Sequence, residues 1–545
     1  MTDTMAKLVL TRVHDHGLGC IDAEDRRWSW AEMVTRGATV GAVLRTMADP
    51  DQPLHVGVLL PNTLDYLDWL IGAALVGATI VGINPTRRGQ QLANDITSVD
   101  CQIIVTDAEG RALLHGLDLG AASGRSITVD DPAYRDLLDD VDPDDIDAVL
   151  TEAESVAPSD LYLLLFTSGT TGTPKAVRCT QGRLATIAQT AGANYGFTRD
   201  DVGYCPMPLF HGNAIMALWA PSLWAGGAVA PAPKFSASKW LNDVRRTGAT
   251  KFTYVGKAVA YLLATSPRPD DRDHLLQMGF GTEASLPDRL AFAERFGVRL
   301  IEGYGSSEGG INIIASADTP LGALGPAPAG MDVVIVNEAL EECPPAAFDA
   351  DGKLLNAEAA IGEIVNRTGA VRFEGYYERP DAEADRIRNG WYWSGDLGYR
   401  DAAGYFYFAG RSGDWLRVDS ENMAAGPIEA VVSRYEPFSS VLIYGVPSPH
   451  GGDEVMAAVE LREGATFNGA DFAAWLAAQP DLGTKWAPSF VRVMDHLPET
   501  ATGKLTKVTL KAEGLNVDDP VYWTGRRRSD PYLPFDDAAA AAFNA

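Results

Sequence analysis

The stretch at residues 161–175, LYLLLFTSGTTGTPK, constrains this chain more tightly than any other. Its first six residues are apolar and read as a strand. The run then breaks into glycines and hydroxyls and closes on a lysine. Glycines let backbone approach an anion closely, hydroxyls donate hydrogen bonds, and a lysine adds positive charge. Thr167, Ser168, Gly169, Thr170, Thr171, Gly172 and Lys175 therefore predict a phosphate-binding loop that follows a buried strand. It is not the Walker pattern, because Ala176 rather than Ser or Thr follows the lysine.

Around this run, strand-like and helix-like segments alternate. Residues 55–63 read as strand and turn, 63–76 as helix, 78–85 and 101–107 as strands. Strands separated by helices imply a parallel sheet in a multi-layer α/β domain. The alternation resumes from 161 to about 310, and Pro- and Gly-rich short strands follow between 318 and 375. After Arg411 a smaller α+β pattern starts: helix 428–435, strands 439–447 and 454–461, helix 470–479 and strand 489–498. With 545 residues the chain exceeds what one core supports. Two domains are expected, 1–412 and 413–545, the second the smaller. The acidic stretch at 139–147 is expected to be a solvated surface segment.

Lys and Arg number 45 against 73 Asp and Glu, a net charge of −28, which repels nucleic acid and anionic lipid surfaces. Small anionic ligands stay within reach, because salt screens charge beyond roughly 8 Å and local cations can still hold a phosphate. The five cysteines, at 20, 101, 179, 205 and 343, show no disulfide or zinc spacing, so a reducing, cytoplasmic setting is expected. The N-terminal residues lack an apolar stretch after a basic start, and no secretory leader is expected. Two apolar stretches, 69–83 and 212–233, are read as core, since Gly77 splits the first into helix and strand, and Pro221 with Gly226 and Gly227 breaks the second into a helix and a strand entry.

TSGTTGTPK resembles the phosphate loop of the acyl-adenylate-forming superfamily. Further segments agree in the family's order: EGYGSSEGG at 302–310, GWYWSGDLGYRD at 390–401, the hinge-like GRSGDWLRVDSENM at 410–423, and PETATGKLTK at 498–507. Finer features, at 207–214, 234–240 and 253–274, are similar to the very-long-chain acyl-CoA synthetase and fatty-acid-transport-protein branch, and to actinobacterial fatty-acid-CoA ligases.

The resemblance implies a large N-terminal α/β domain of the acyl-CoA synthetase type and a mobile α+β lid. It implies an AMP-forming ligase that activates a long-chain or bulky carboxylic acid, fatty or steroidal, with ATP, Mg²⁺ and coenzyme A. By motif position, Thr167 to Lys175 take the β- and γ-phosphates. Glu308 helps hold Mg²⁺, Tyr304 with Gly305 faces adenine, and Ser307 contacts the α-phosphate. Gly281, Thr282 and Glu283 line the adenine pocket, Asp396 with Arg411 takes the ribose, and His211 lies near the acyl carboxylate. Lys504 is the catalytic lysine. Small residues at Gly212, Ala214, Ala217 and Ala220 leave room for an acyl chain or mark close helix packing. Gly413 at the hinge and Ser420 before Glu421 depart from the commonest residues there. The rival readings are an acyl-AMP ligase serving a carrier protein, and a lipid-binding or uptake protein with residual adenylation motifs.

Overall fold

The computed structural model describes residues 2–544 except 168–174, 316–317, 350–353, 412–414, 419–420, 450–452, 480–481, 483–485, 501–503 and 526–529, and except the side chains of 411, 415, 417 and 421–423. The chain forms two compact units. The first comprises Met1–Ala284, Asp288–Ile301 and Glu374–Glu383; the second comprises Ser285–Pro287, Glu302–Phe373 and Ala384–Ala545.

The first unit contains two mainly parallel sheets. One runs Ser126–Thr128, Cys101–Thr106, His55–Leu59, Thr79–Gly82, Leu161–Thr167, Lys175–Thr180, with only the last strand antiparallel. Cys101–Thr106, His55–Leu59 and Thr79–Gly82 are buried along their whole length, which accounts for their mainly apolar sequence. Helix Leu64–Val76 is capped by the Thr63 hydroxyl and stopped at Gly77, φ 68°. It packs so closely on helix Trp30–Met47 that a Cβ at Gly72 would lie 2.7 Å from the Gly37 carbonyl oxygen. The second sheet of this unit places Met278–Thr282, Lys251–Val255, Val202–Cys205, Ala228–Pro231 and Leu18–Ile21 in parallel order, with Arg27–Ser29 antiparallel at the edge.

In the second unit an antiparallel sheet runs Gly325–Pro326, Tyr405–Arg411, Trp391–Arg400, Gly362–Asn366, Val333–Val336. The C-terminal sheet is Phe438–Pro447, Asp453–Leu461, Phe490–Met494, Val521–Trp523, Leu533–Pro534, parallel only between the second and third strands. One face of it holds an aromatic cluster of Tyr435, Phe438, Phe472 and Tyr532.

Most expected elements form where the pattern puts them. Pro221 is an exception, because it does not break its helix. A five-residue π-helical turn, Ile215–Trp219, runs directly into helix Ala220–Ala225, and the chain stops at Gly226, φ 77°. The wider turn shifts the hydrogen-bond ladder where proline has no N–H to give. The acidic stretch is exposed, as expected, but is largely helical: Asp142 caps helix Pro143–Glu152 by accepting from Asp144 N at 2.9 Å. All five cysteines are buried and free. Among the described residues no helix is long and apolar enough to cross a membrane.

Candidate active site

The expected phosphate loop closes an antiparallel hairpin. Thr167, the last residue of Leu161–Thr167, stands opposite Lys175, the first of Lys175–Thr180, and the Thr167 hydroxyl is 3.4 Å from the Lys175 carbonyl oxygen. Ser168, Gly169, Thr170, Thr171 and Gly172 lie outside the described residues. The Lys175 side chain is buried, with Nζ 5.5 Å from the centroid of the Tyr376 ring.

His211 precedes the short helix Gly212–Ala214, and its Nδ1 is 3.5 Å from Asn213 N. Its neighbour Phe210 lies against Gly82, where a Cβ would come 2.5 Å from the Phe210 carbonyl oxygen. Buried Asn62 holds this segment: its Nδ2 donates to the Cys205 and Met207 carbonyls at 3.1 and 2.8 Å, and its Oδ1 accepts from Leu209 N at 2.8 Å. Ala214 and Ala220 are buried in the core.

Gly281 and Thr282 end the strand Met278–Thr282, and Glu283 follows in the left-handed region at φ 70°. This backbone is pressed against its neighbour, since a Cβ at Gly281 would lie 2.3 Å from the Tyr254 carbonyl oxygen, and one at Gly256 1.8 Å from that of Glu283. These close approaches give a narrow wall of main chain, in which Glu283 carries a conformation that L residues seldom adopt.

A second group of expected residues lies in the second unit. Tyr304 and Gly305 end the strand Arg299–Gly305, where Tyr304 pairs with Ile313 and Gly305 with Asn312. The Tyr304 hydroxyl donates to Asp396 Oδ2 at 2.9 Å. Burial first, and the Asp396 carboxylate second, push the Tyr304 phenol well above its ordinary pKa, so it remains a donor. Asp396 lies on Trp391–Arg400, with its N–H donating to Ser394 Oγ at 3.0 Å, and stands opposite Arg411 in the strand register. Gly395, φ 74°, directs its N–H to Glu363 Oε1 at 2.8 Å.

Ser307 is half-buried beside Glu308, which is 3% exposed and 4.0 Å from Arg386 Nη2. The same guanidinium donates to the carbonyls of Trp393 and Ser394. Among the described residues no three or more His, Cys, Asp or Glu side chains could hold a metal ion by themselves. One buried carboxylate suits an Mg²⁺ that arrives on a triphosphate and keeps phosphate and water ligands. Lys504 is bonded to Thr500 twice: its N–H donates to Thr500 Oγ1 at 3.1 Å, and its carbonyl accepts from Thr500 N at 2.7 Å.

The sequence motifs miss Asn62, Glu363, Tyr376 and Arg386. Asn62 follows Pro61 at the end of an expected strand, and that turn position was the one available signal.

The family described as AMP-binding enzyme matches residues 11–377, and the AMP-binding enzyme C-terminal domain matches residues 427–504. The chain is 53% identical to the steroid-22-oyl-CoA synthetase of Rhodococcus jostii (strain RHA1), over 96% of this chain and 93% of that protein. It is 43% identical to the medium/long-chain-fatty-acid–CoA ligase FadD17 of Mycobacterium marinum, over 94% of this chain and 96% of that one. Among solved structures, a benzoate CoA ligase from Burkholderia xenovorans LB400 shares the fold, with a TM-score of 0.80 at 18% identity over 93% of this chain and 99% of its own.

Proposed function

The chain belongs to the AMP-binding enzyme family, and from that premise we propose that it is an ATP-dependent acyl-CoA ligase for fatty or steroidal carboxylic acids. The observation that carries the reading is near-full-length likeness, at 53% identity, to a steroid-22-oyl-CoA synthetase. Its substrate is a steroid side-chain carboxylate, with long-chain fatty acids as the second choice that the FadD17 likeness supports.

The carboxylate attacks the α-phosphorus of ATP and expels pyrophosphate, and a CoA thiolate then displaces AMP to give the thioester. Both steps crowd negative charge, so cations and oriented N–H groups do most of the work. Residues Thr167 to Lys175 bind the β- and γ-phosphates, and Ser307 the α-phosphate. Glu308 would hold the Mg²⁺ of ATP, whose charge would offset that of the phosphates. Tyr304 and Gly305 face adenine along with the backbone of Gly281, Thr282 and Glu283. Asp396 accepts from the ribose hydroxyls with Arg411 beside it, and the Tyr304 hydroxyl on Oδ2 supports this by orienting the carboxylate. His211 lies by the acyl carboxylate. Lys504 bridges that carboxylate and the α-phosphate during adenylation.

We assign residues 1–412 to a nucleotide- and acyl-binding domain and 413–545 to a lid that carries Lys504. The two family matches fall on either side of that boundary. The setting is cytoplasmic, and the partners are small molecules. The test is a panel of C8 to C24 fatty acids and steroid acids with ATP, Mg²⁺ and CoA, scored by mass. Thioester from a steroid acid is expected. Thioester from fatty acids alone shifts the substrate class, and acyl-AMP without thioester favours a carrier-dependent acyl-AMP ligase.

A further inference from the structure

Residues 374–377 run antiparallel along the strand Lys175–Thr180. Arg178 N donates to the Gly375 carbonyl at 3.1 Å, Tyr377 N donates to that of Ala176 at 2.8 Å, and Val177 stands opposite Tyr376. Residues opposed in an antiparallel pair share a face, as do residues two apart on one strand. Tyr376 and Lys175 are therefore diagonal neighbours on one face, which is how the ring comes to lie 5.5 Å from Nζ. Both side chains are buried, at 2% and 8% exposure.

This strap is fixed at several points. The Glu374 carboxylate accepts from Thr180 N at 2.8 Å and from its hydroxyl at 2.7 Å. Tyr376 N donates to Glu383 Oε1 at 2.9 Å, and the Tyr377 hydroxyl donates to Asp100 at 2.8 Å. Gly375, φ 86°, lets Glu383 in: a Cβ there would lie 2.2 Å from that same Oε1.

We propose that Tyr376 is a positioning residue for Lys175, its ring face holding the ammonium in place for the ATP phosphates. The inference rests on the ligase reading above. A lysine stem is flexible, and a group ordered before the ligand arrives loses less freedom on binding. An aromatic face attracts an ammonium without cancelling its charge.

The test replaces Tyr376 with phenylalanine and then with di- and trifluorophenylalanine, which weaken the negative ring face stepwise at nearly constant shape. Steady-state kinetics, ATP calorimetry and a melting curve are recorded for each. Along the series the KM and Kd for ATP should rise by about threefold to tenfold. The KM for the acid and the melting temperature should hold, and the rise should vanish in a Lys175→Gln background. An ATP Kd that stays flat across the series, or a rise that persists without Lys175, overturns the proposal. Failure of the wild-type enzyme to make any acyl-AMP overturns the ligase reading itself, and is seen before any variant is compared.

Discussion

At the scale of single residues, the least foreseeable contact is also the most informative. Tyr304 and Asp396 stand 92 positions apart, and each is expected at the nucleotide separately, yet the tyrosine hydroxyl donates to the carboxylate. Motifs are local in the chain, so they identify residue types and leave such pairings open; Asn62, Tyr376 and Arg386 escape for the same reason. Asp396→Ala should weaken ATP binding about tenfold to hundredfold in calorimetry, since a charged hydrogen bond contributes roughly 1.5 to 3 kcal/mol. Tyr304→Phe, which only frees the carboxylate to rotate, should cost less. A second prediction concerns Asp68, which is 1% exposed and bonded to Arg36 Nε at 2.9 Å. Burial outweighs the guanidinium and pushes the carboxyl from 3.8 up to about 7. Its folded pKa lies above the unfolded one, so the stability it contributes is complete below about pH 4 and is lost as pH rises towards about 7. The slope is at most about 1.4 kcal/mol per pH unit. Denaturant titrations should show this fall in the wild type and a flatter profile in Asp68→Asn.

At the scale of elements, the sequence pattern is reliable where one period dominates. The mainly apolar runs at 55–59, 79–82 and 161–166 are all strands of one sheet. It fails where geometry depends on neighbours, as at Pro221, whose helix continues through a π-helical turn. Just before that helix, Asn62 makes three hydrogen bonds to the backbone of Cys205, Met207 and Leu209. Asn62→Ala would take from Leu209 N its acceptor and leave the Met207 carbonyl with the weak Cys205 thiol donor, while the Cys205 carbonyl still accepts from Ala232 N; a lost buried partner costs about 1 to 3 kcal/mol. A drop of several degrees in melting temperature is expected, with a raised KM for the acid, because His211 follows the loosened segment. An unchanged melting curve would remove Asn62 from this role.

At the scale of the whole molecule, one lysine is proposed to serve one half-reaction. Lys504→Ala should slow adenylation about 10²- to 10³-fold. Conversion of supplied acyl-AMP and CoA to thioester should largely survive, and equal loss in both steps contradicts the assignment. Gly413, outside the described residues, is where the family resemblance puts the pivot on which the lid turns between adenylation and thioester formation, so Gly413→Pro should leave acyl-AMP formation intact and slow CoA transfer by at least about tenfold. The central claim is that a substrate carboxylate attacks the α-phosphorus of ATP, and transfer of an isotope tests it most directly. The acid is labelled with ¹⁸O in its carboxylate and turned over with ATP, Mg²⁺ and CoA, and the products are weighed. One ¹⁸O is expected in AMP and none in pyrophosphate. Unlabelled AMP, or ADP with the label in inorganic phosphate, would contradict it.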